Sequence, residues 1–279
     1  MLTEKIDVIY HNGAAVNFLY PYEFLKAANV DSVKEMLYLA KTTRLKPIHY
    51  ISTLAVFTSA HLNPSITVVN EDQPLDFGDQ LFMGYSETKW VAEKLLNEAK
   101  KRRFPISIYR FMEVTSHSKT GVSNIKSLDM AYLKGCIEMG LMGDLPMKKH
   151  YTPVDYLAEA IVYLSQQTAS TGQNFHLHNP NPIGQEELGK ILNDLGYPVD
   201  FSPHDTWVQK VTQDIQNPLY VYQPLFTEKW TEENISVIEM FSEQRQPHYG
   251  LQHALSGLAG SGLICPKIDR DYMRRCLNI

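Results

Sequence analysis

The sequence predicts an α/β fold: a doubly wound parallel sheet with a smaller, mostly helical C-terminal region. Three observations carry this. Short apolar runs of strand length alternate with longer helical patterns, the signature of βαβ units and a parallel sheet. The carboxyl ends of those runs carry small or hydroxyl-bearing residues, as at His11-Asn-Gly-Ala-Ala15 and Ser52-Thr53, where open parallel sheets bind ligands. After Leu177 the texture changes: Asn179-Pro-Asn-Pro182 breaks the chain and helical patterns follow.

Taken in order, Val8–Tyr10 reads as a buried strand. Tyr22 to about Lys41 reads as a helix with Leu25, Ala28, Val33, Met36, Leu37 and Ala40 on its apolar side. Pro47–Ile51 is the next strand. Tyr85 to about Arg102 is a helix expected to bury Trp90, Val91, Leu95 and Leu96. It ends in the basic cluster Lys100–Arg103, which suits the negative end of the helix dipole. Ile106–Tyr109 and Asn174–Leu177 are further strands, with a helix over Pro153–Ser165 before the latter. Beyond Leu177 come a helix over Gln185–Leu195, a stretch rich in Tyr, Gln and Pro, and an acidic helix around Glu232 to Phe241. The expected division is one domain over 1–178, with 116–150 leaving the sheet, and a second region over 179–279.

Composition excludes several classes. The chain has 279 residues, 44% hydrophobic and 20% charged, with net charge -5, enough for a sizeable core. An acidic balance without a basic face argues against nucleic acid. No apolar run approaches the ~20 residues of a membrane span. Cys136, Cys265 and Cys276 form neither a disulfide framework nor a zinc motif, which fits a reducing cytoplasm. Met1-Leu-Thr-Glu-Lys5 precedes the first strand directly, without the basic and apolar segments of a signal peptide.

Tyr85-Ser-Glu-Thr-Lys89 carries the most chemistry. Positions i and i+4 share a helix face, so a phenol and an ammonium can enter one cleft. A cation beside a phenol lowers its pKa toward the range of a general acid or base. A second copy, Tyr22-Glu-Phe-Leu-Lys26, has no hydroxyl-bearing strand before it and reads as a structural helix start. Tyr85 follows the strand ending in the hydroxyl pair Ser52-Thr53, and Tyr85 and Lys89 therefore read as the functional pair.

Thr53, Tyr85 and Lys89, in that order, resemble the catalytic triad of the extended short-chain dehydrogenase/reductases. The likeness extends through Val8–Phe18, Leu25–Val30, Tyr50–Phe57, Gly84–Lys94, Ser116–Gly121, Lys134–Ile137, Thr152–Tyr156, Phe175–Leu177 and Ile264–Asp269. Over nearly the whole length the chain is similar to the thioester reductase domains that end nonribosomal peptide and polyketide synthetases, related to carboxylic acid reductase termini. The resemblance implies a Rossmann-like sheet lacking its first strands. It implies NADPH-dependent reductive release of an acyl or peptidyl thioester from a phosphopantetheinylated carrier protein, as aldehyde or, after further reduction, alcohol. Tyr85 would protonate the oxyanion, Thr53 would hydrogen-bond it, and Lys89 would hold the nicotinamide ribose and depress the Tyr85 pKa. Asn12, Gly13 and Ala14, with Tyr85 and Lys89, would line the cofactor, Asn29 would help order the cleft, and 179–279 would serve substrate and carrier docking. No metal is implied.

Two departures stand against that pattern. The family's G-x-x-G-x-x-G turn, whose backbone N–H groups bind pyrophosphate, does not occur in this sequence, and Tyr109-Arg-Phe-Met-Glu113 has Phe111-Met112 where Pro and Gly are usual. The expectation is a fragment, from a truncated gene model, a split gene or a decayed copy, that exposes strand edges, binds NADPH poorly and reduces nothing measurable. Two alternatives stay open: a non-reducing carrier-docking module of the same fold, and a nucleotide-sugar epimerase or dehydratase, which shares the Thr, Tyr and Lys arrangement. His176 and His178 alternate along a strand but lack a third ligand, and Asn234-Ile-Ser236 fits a glycosylation pattern with nothing routing the chain to secretion.

Overall fold

The computed structural model describes residues 2–76, 78–230 and 234–277. The chain forms two compact units: Met1–Met112 with Glu159–Leu177 and Pro247–Leu263, and Glu113–Ala158 with His178–Gln246 and Ile264–Ile279.

The first unit is built on strands β1 (Ile9–His11), β2 (Ile48–Thr53), β3 (Ile106–Phe111) and β4 (Asn174–His176). They lie side by side in that order and every neighbouring pair is parallel. Between β1 and β2 run α1 (Tyr22–Lys26), a π turn (Ala27–Asp31) and α2 (Ser32–Lys41), so the helix predicted over Tyr22–Lys41 contains one wide turn. Helix α3 (Gly84–Lys101) connects β2 to β3. Residues two apart on a strand share a face. Ile48 and Tyr50 of β2 and Ile106 and Ile108 of β3 thus meet Val33, Met36 and Ala40 of α2 and Ala92 and Leu96 of α3 in one buried cluster. Each such buried aliphatic side chain stabilises by about 1.5–3 kcal/mol. The other sheet face carries Tyr10, stacked on His49, whose Nδ1 lies 2.9 Å from the Tyr109 hydroxyl.

The buried face of α3 differs from the one the apolar pattern suggests. Leu96 is buried, whereas Trp90, Val91 and Leu95 are half-buried, and Lys89 and Glu93 turn inward instead. Polar partners inside the unit make that rotation affordable, since a buried charge is tolerated only when paired.

The units do not follow a cut after residue 178. Residues 247–263 return to the first unit because His248–Tyr249 pairs in parallel with Val68–Val69 and because Glu71 holds them. Its buried carboxylate accepts the backbone N–H groups of His253 (2.6 Å), Ala254 (2.9 Å) and His176 (3.1 Å).

In the second unit, α4 (Leu128–Met139), α5 (Gln185–Asp194) and α6 (His204–Gln213) pack around the parallel pair Leu141–Gly143 and Asp200–Ser202, with Trp207 wholly buried in a core that includes Tyr132, Cys136, Met142 and Leu192. Ser118 donates backbone and side-chain hydrogen bonds to Asp155, at 2.9 and 2.6 Å. The acidic helix expected around Glu232 begins outside the described residues; Val237–Met240 is helical and starts at a Ser236–Glu239 capping box. Among the described residues no helix is long and apolar enough to cross a membrane.

Candidate active site

The carboxyl ends of β1 and β2 and the start of α3, all in the first unit, assemble the candidate site. Alternation along β2 sends Ser52 and Thr53 to opposite faces. Ser52 Oγ donates to Glu93 Oε1 at 2.5 Å and is thereby a structural group. Thr53 caps the 3₁₀ turn Leu54–Leu62, its Oγ1 accepting from Ala55 N at 3.1 Å, and its side chain is near enough to the Tyr85 phenol to bear on its pKa. Gly84 places that phenol: a Cβ there would lie 2.5 Å from the backbone of Tyr20, Pro21 and Tyr22, so only glycine lets α3 begin so close. Phe18 meets the Tyr85 ring edge-on at 5.6 Å.

Lys89 sits one turn further along the same face. Its Nζ donates to the Tyr50 hydroxyl at 2.7 Å and to the Ile51 carbonyl at 2.9 Å. Burial pulls the Lys89 pKa down to about 7, against the attraction of Glu93, so near neutrality the amine can gain or lose its proton. Burial pushes the Tyr85 phenol up to about 12, and Thr53 opposes that only in part. The expected depression of the Tyr85 pKa by Lys89 is not what the geometry delivers, because the amine is directed to Tyr50 and Ile51. A phenol with a raised pKa stays protonated at pH 7.

Asn12, Gly13 and Ala14 are exposed just beyond β1. A Cβ on Gly13 would meet nothing within 4 Å, so packing does not demand glycine there and the backbone is open to a ligand. Asn29, in the π turn, fixes the end of this loop. It accepts from Ala15 N (2.8 Å) and donates to Ala15 O (3.0 Å) and to Thr88 Oγ1 (3.0 Å). That last bond ties the loop to α3 between Tyr85 and Lys89.

Four residues of this neighbourhood carried no functional signal in the sequence: His11, Tyr50, Glu93 and Arg110. His11 stacks on Tyr50 at 5.3 Å and its buried Nδ1 has no hydrogen-bond partner; burial, then Lys89, lowers its pKa. Glu93 and Arg110 form a buried ion pair, with Arg110 Nη2 2.7 Å from Oε2 and Nε 3.0 Å from Oε1. Arg110 Nη1 also donates to the Glu71 carbonyl at 3.0 Å. Glu93 could have been found, since it lies four residues after Lys89 and shares its helix face.

The remaining candidates fall outside the site. Tyr22 starts α1, and Lys26 forms a half-exposed ion pair with Asp31 at 2.6 Å. Met112 packs against the cluster of Leu54, Val56 and Phe57. β4 ends at His176, before the alternation reaches His178. His176 Nδ1 lies 2.9 Å from Gly250 O, and His178 Nδ1 lies 3.1 Å from His150 Nδ1. Among the described residues no group of three His, Cys, Asp or Glu is arranged to hold a metal. For a nicotinamide cofactor the fit is to one end: the open backbone at Gly13, the unpartnered His11 Nδ1, Tyr85 and Lys89 suit the nicotinamide and its ribose.

Comparison with known proteins gives a consistent picture. A family model for NAD-binding domains, described as Male sterility protein, matches residues 1–161. A linear gramicidin synthase of Brevibacillus parabrevis is 37% identical over 216 residues, which are 77% of this chain and 4% of that protein. The terminal R domain from the myxalamid PKS-NRPS biosynthetic pathway superimposes with a TM-score of 0.86 at 36% identity, covering 99% of this chain and 68% of that one. A thiolation-reductase di-domain from an archaeal non-ribosomal peptide synthetase gives 0.80 at 22% identity over 99% of this chain and 57% of that one, a likeness of fold. The chain thus spans a small part of the length of the curated relatives it matches.

Proposed function

The chain belongs to the Male sterility protein family of NAD-binding domains, and from that premise we propose that its site serves NADPH-dependent reductive release of an acyl or peptidyl thioester from a phosphopantetheinylated carrier protein. The observation that supports this best is that Thr53 at the end of β2 and Tyr85 at the start of α3 come together, with Lys89 one turn along α3. A bound reduced nicotinamide supplies the hydride that reduces the thioester carbonyl carbon. Tyr85 gives its proton to the carbonyl oxygen as charge develops there, and Thr53 donates a second hydrogen bond to that oxygen. The resulting hemithioacetal breaks its C–S bond: the hydroxyl proton passes to sulfur, and the products are an aldehyde and the carrier thiol. Lys89 holds the ribose, and the Tyr85 proton is restored from solvent. Recognition of the acyl chain and carrier is assigned to residues of the second unit.

A second reading, carrier docking without reduction, is favoured by one observation: the sequence contains no G-x-x-G-x-x-G turn to cradle a pyrophosphate. We therefore assign this polypeptide a weak affinity for NADPH. The test has two parts. NADPH fluorescence titration should show no micromolar binding. At millimolar NADPH, an acyl thioester on a carrier protein should be consumed with stoichiometric release of aldehyde and free carrier thiol. Carrier binding with no NADPH oxidation at any concentration would replace reduction with docking.

A further inference from the structure

Tyr50 carries a hydroxyl that packing does not call for. Alternation along β2 turns Ile48 and Tyr50 to one face, where Tyr50, wholly buried, joins the cluster of Val33, Ala92, Leu96 and Ile108. Phenylalanine would fill that place equally well, and a buried hydroxyl destabilises unless it is hydrogen-bonded. Among the described residues the partner of this hydroxyl is Lys89 Nζ, at 2.7 Å. The same nitrogen lies over the Tyr50 ring, 4.1 Å from its centroid, where the electron-rich face attracts a cation. Burial, then Glu93 and Tyr85, hold the Tyr50 phenol well above its ordinary range, so its oxygen stays a neutral acceptor.

Both contacts favour the charged form of Lys89 over the free amine. Lys89 is buried, and burial by itself drives an ammonium to give up its proton. The groups that face it come from three elements. On α3, Glu93 attracts the ammonium, although its carboxylate is shared with Arg110 and Ser52, and Tyr85 stays a neutral phenol. On β2 are the Tyr50 hydroxyl and the Ile51 carbonyl. On β1, His11 stacks on the Tyr50 ring at 5.3 Å and is kept neutral at pH 7 by burial and by the Lys89 charge. An ammonium has three N–H donors. Tyr50 and Ile51 take two of them and fix their directions, which leaves one for a ligand.

Resting on the reading in which Lys89 holds the cofactor ribose, we propose that Tyr50 is the positioning residue of Lys89: its hydroxyl and ring face seat the ammonium and leave one N–H for the ribose. Tyr50→Phe tests this, because it keeps the ring and its packing and removes only the oxygen. In ¹⁵N-lysine NMR the Lys89 titration, near 7 in the wild-type chain, should fall by about one pH unit. A residue that only packs would leave it in place, so an unchanged or raised titration overturns the proposal. Thioester-dependent NADPH oxidation gives the second readout. At pH 7 the charged fraction of Lys89 drops from about one half to about one tenth, so kcat/KM for NADPH should fall about fivefold and its alkaline limb should begin about one pH unit lower. Coincident pH profiles of two active chains would overturn the role. The NMR titration needs no cofactor and decides for Tyr50 even where no reduction is seen. An undiminished rate in Tyr85→Phe would instead sink the reductase reading and leave the Tyr50–Lys89 contact standing. If Tyr50→Phe does not fold, the wild-type chain decides: the Tyr50 Cζ signal should move with the Lys89 titration and lose that step in Lys89→Met. A Cζ signal flat across that range overturns the contact.

Discussion

Replacing Arg110 by methionine tests whether the site rests on a buried ion pair. Arg110 and Glu93 are 1% and 0% exposed at their side chains and meet at 2.7 Å. Arg110→Met leaves the buried Glu93 carboxylate with the Ser52 hydroxyl bond and the weaker attraction of Lys89 and Lys100, and it strips the Glu71 carbonyl of its Arg110 donor. Removing one member of a buried pair costs about 3–5 kcal/mol, whereas replacing both by apolar side chains of similar volume is often near neutral. The double variant Arg110→Met/Glu93→Met should therefore recover most of the loss. It should retain only a small loss at the Glu71 carbonyl, which keeps the Asn174 side-chain amide as a donor at 3.2 Å. The assay is urea unfolding of the wild-type, single and double variants, read alongside hydrogen exchange of the β2 and β3 amides so that the first unit is followed by itself. A single variant costing less than about 1 kcal/mol, or a double variant costing more than the single, would refute the reasoning.

Three further outcomes follow from the same geometry. Lys89 should titrate near 7 in ¹⁵N-lysine NMR, as burial dictates, and Glu93→Gln should lower that value further; a value near ~10.4 would show the amine to be solvated. Because the unfolded chain keeps that proton up to pH ~10.4, it binds more protons than the folded chain above pH 7, so stability rises with pH across this window by up to about 1.4 kcal/mol per unit. Lys89→Met should remove that slope. Gly84→Ala forces a Cβ to 2.5 Å from the Tyr20–Tyr22 backbone and should destabilise by about 1–3 kcal/mol in urea unfolding; a loss below about 0.5 kcal/mol would mean the α3 terminus shifts freely. Asn29→Ala removes the acceptor of the Ala15 N–H and should speed exchange of that amide about tenfold, equivalent to about 1.4 kcal/mol, while unchanged exchange would show that the loop holds itself.

Much of this was legible in the sequence, for identifiable reasons. The parallel sheet announces itself because buried strands are short apolar runs and crossovers are helices, and β2 and β3 follow the Pro47–Ile51 and Ile106–Tyr109 runs with small extensions. The spacing of Tyr85 and Lys89 is a property of any helix and survives intact. What periodicity could not show is which face of α3 turns inward. Trp90 and Leu95 looked like the core, but Lys89 and Glu93 are buried, because their partners Tyr50, Ser52 and Arg110 come from two other elements. The direction of the Lys89 amine was likewise hidden: it depends on the Tyr50 hydroxyl, which belongs to a residue that reads as ordinary strand. The return of 247–263 to the first unit rests on a two-residue strand pairing and on one carboxylate, Glu71, whose backbone partners leave no trace in composition.

The most direct measurement compares two tyrosines. With a carrier-bound acyl thioester and millimolar NADPH, thioester-dependent NADPH oxidation should fall about 10²–10⁴-fold in Tyr85→Phe and should stay at the wild-type rate in Tyr22→Phe, the residue with the same spacing to a lysine at the start of α1. Equal rates in all three chains would contradict the assignment of proton donation to Tyr85.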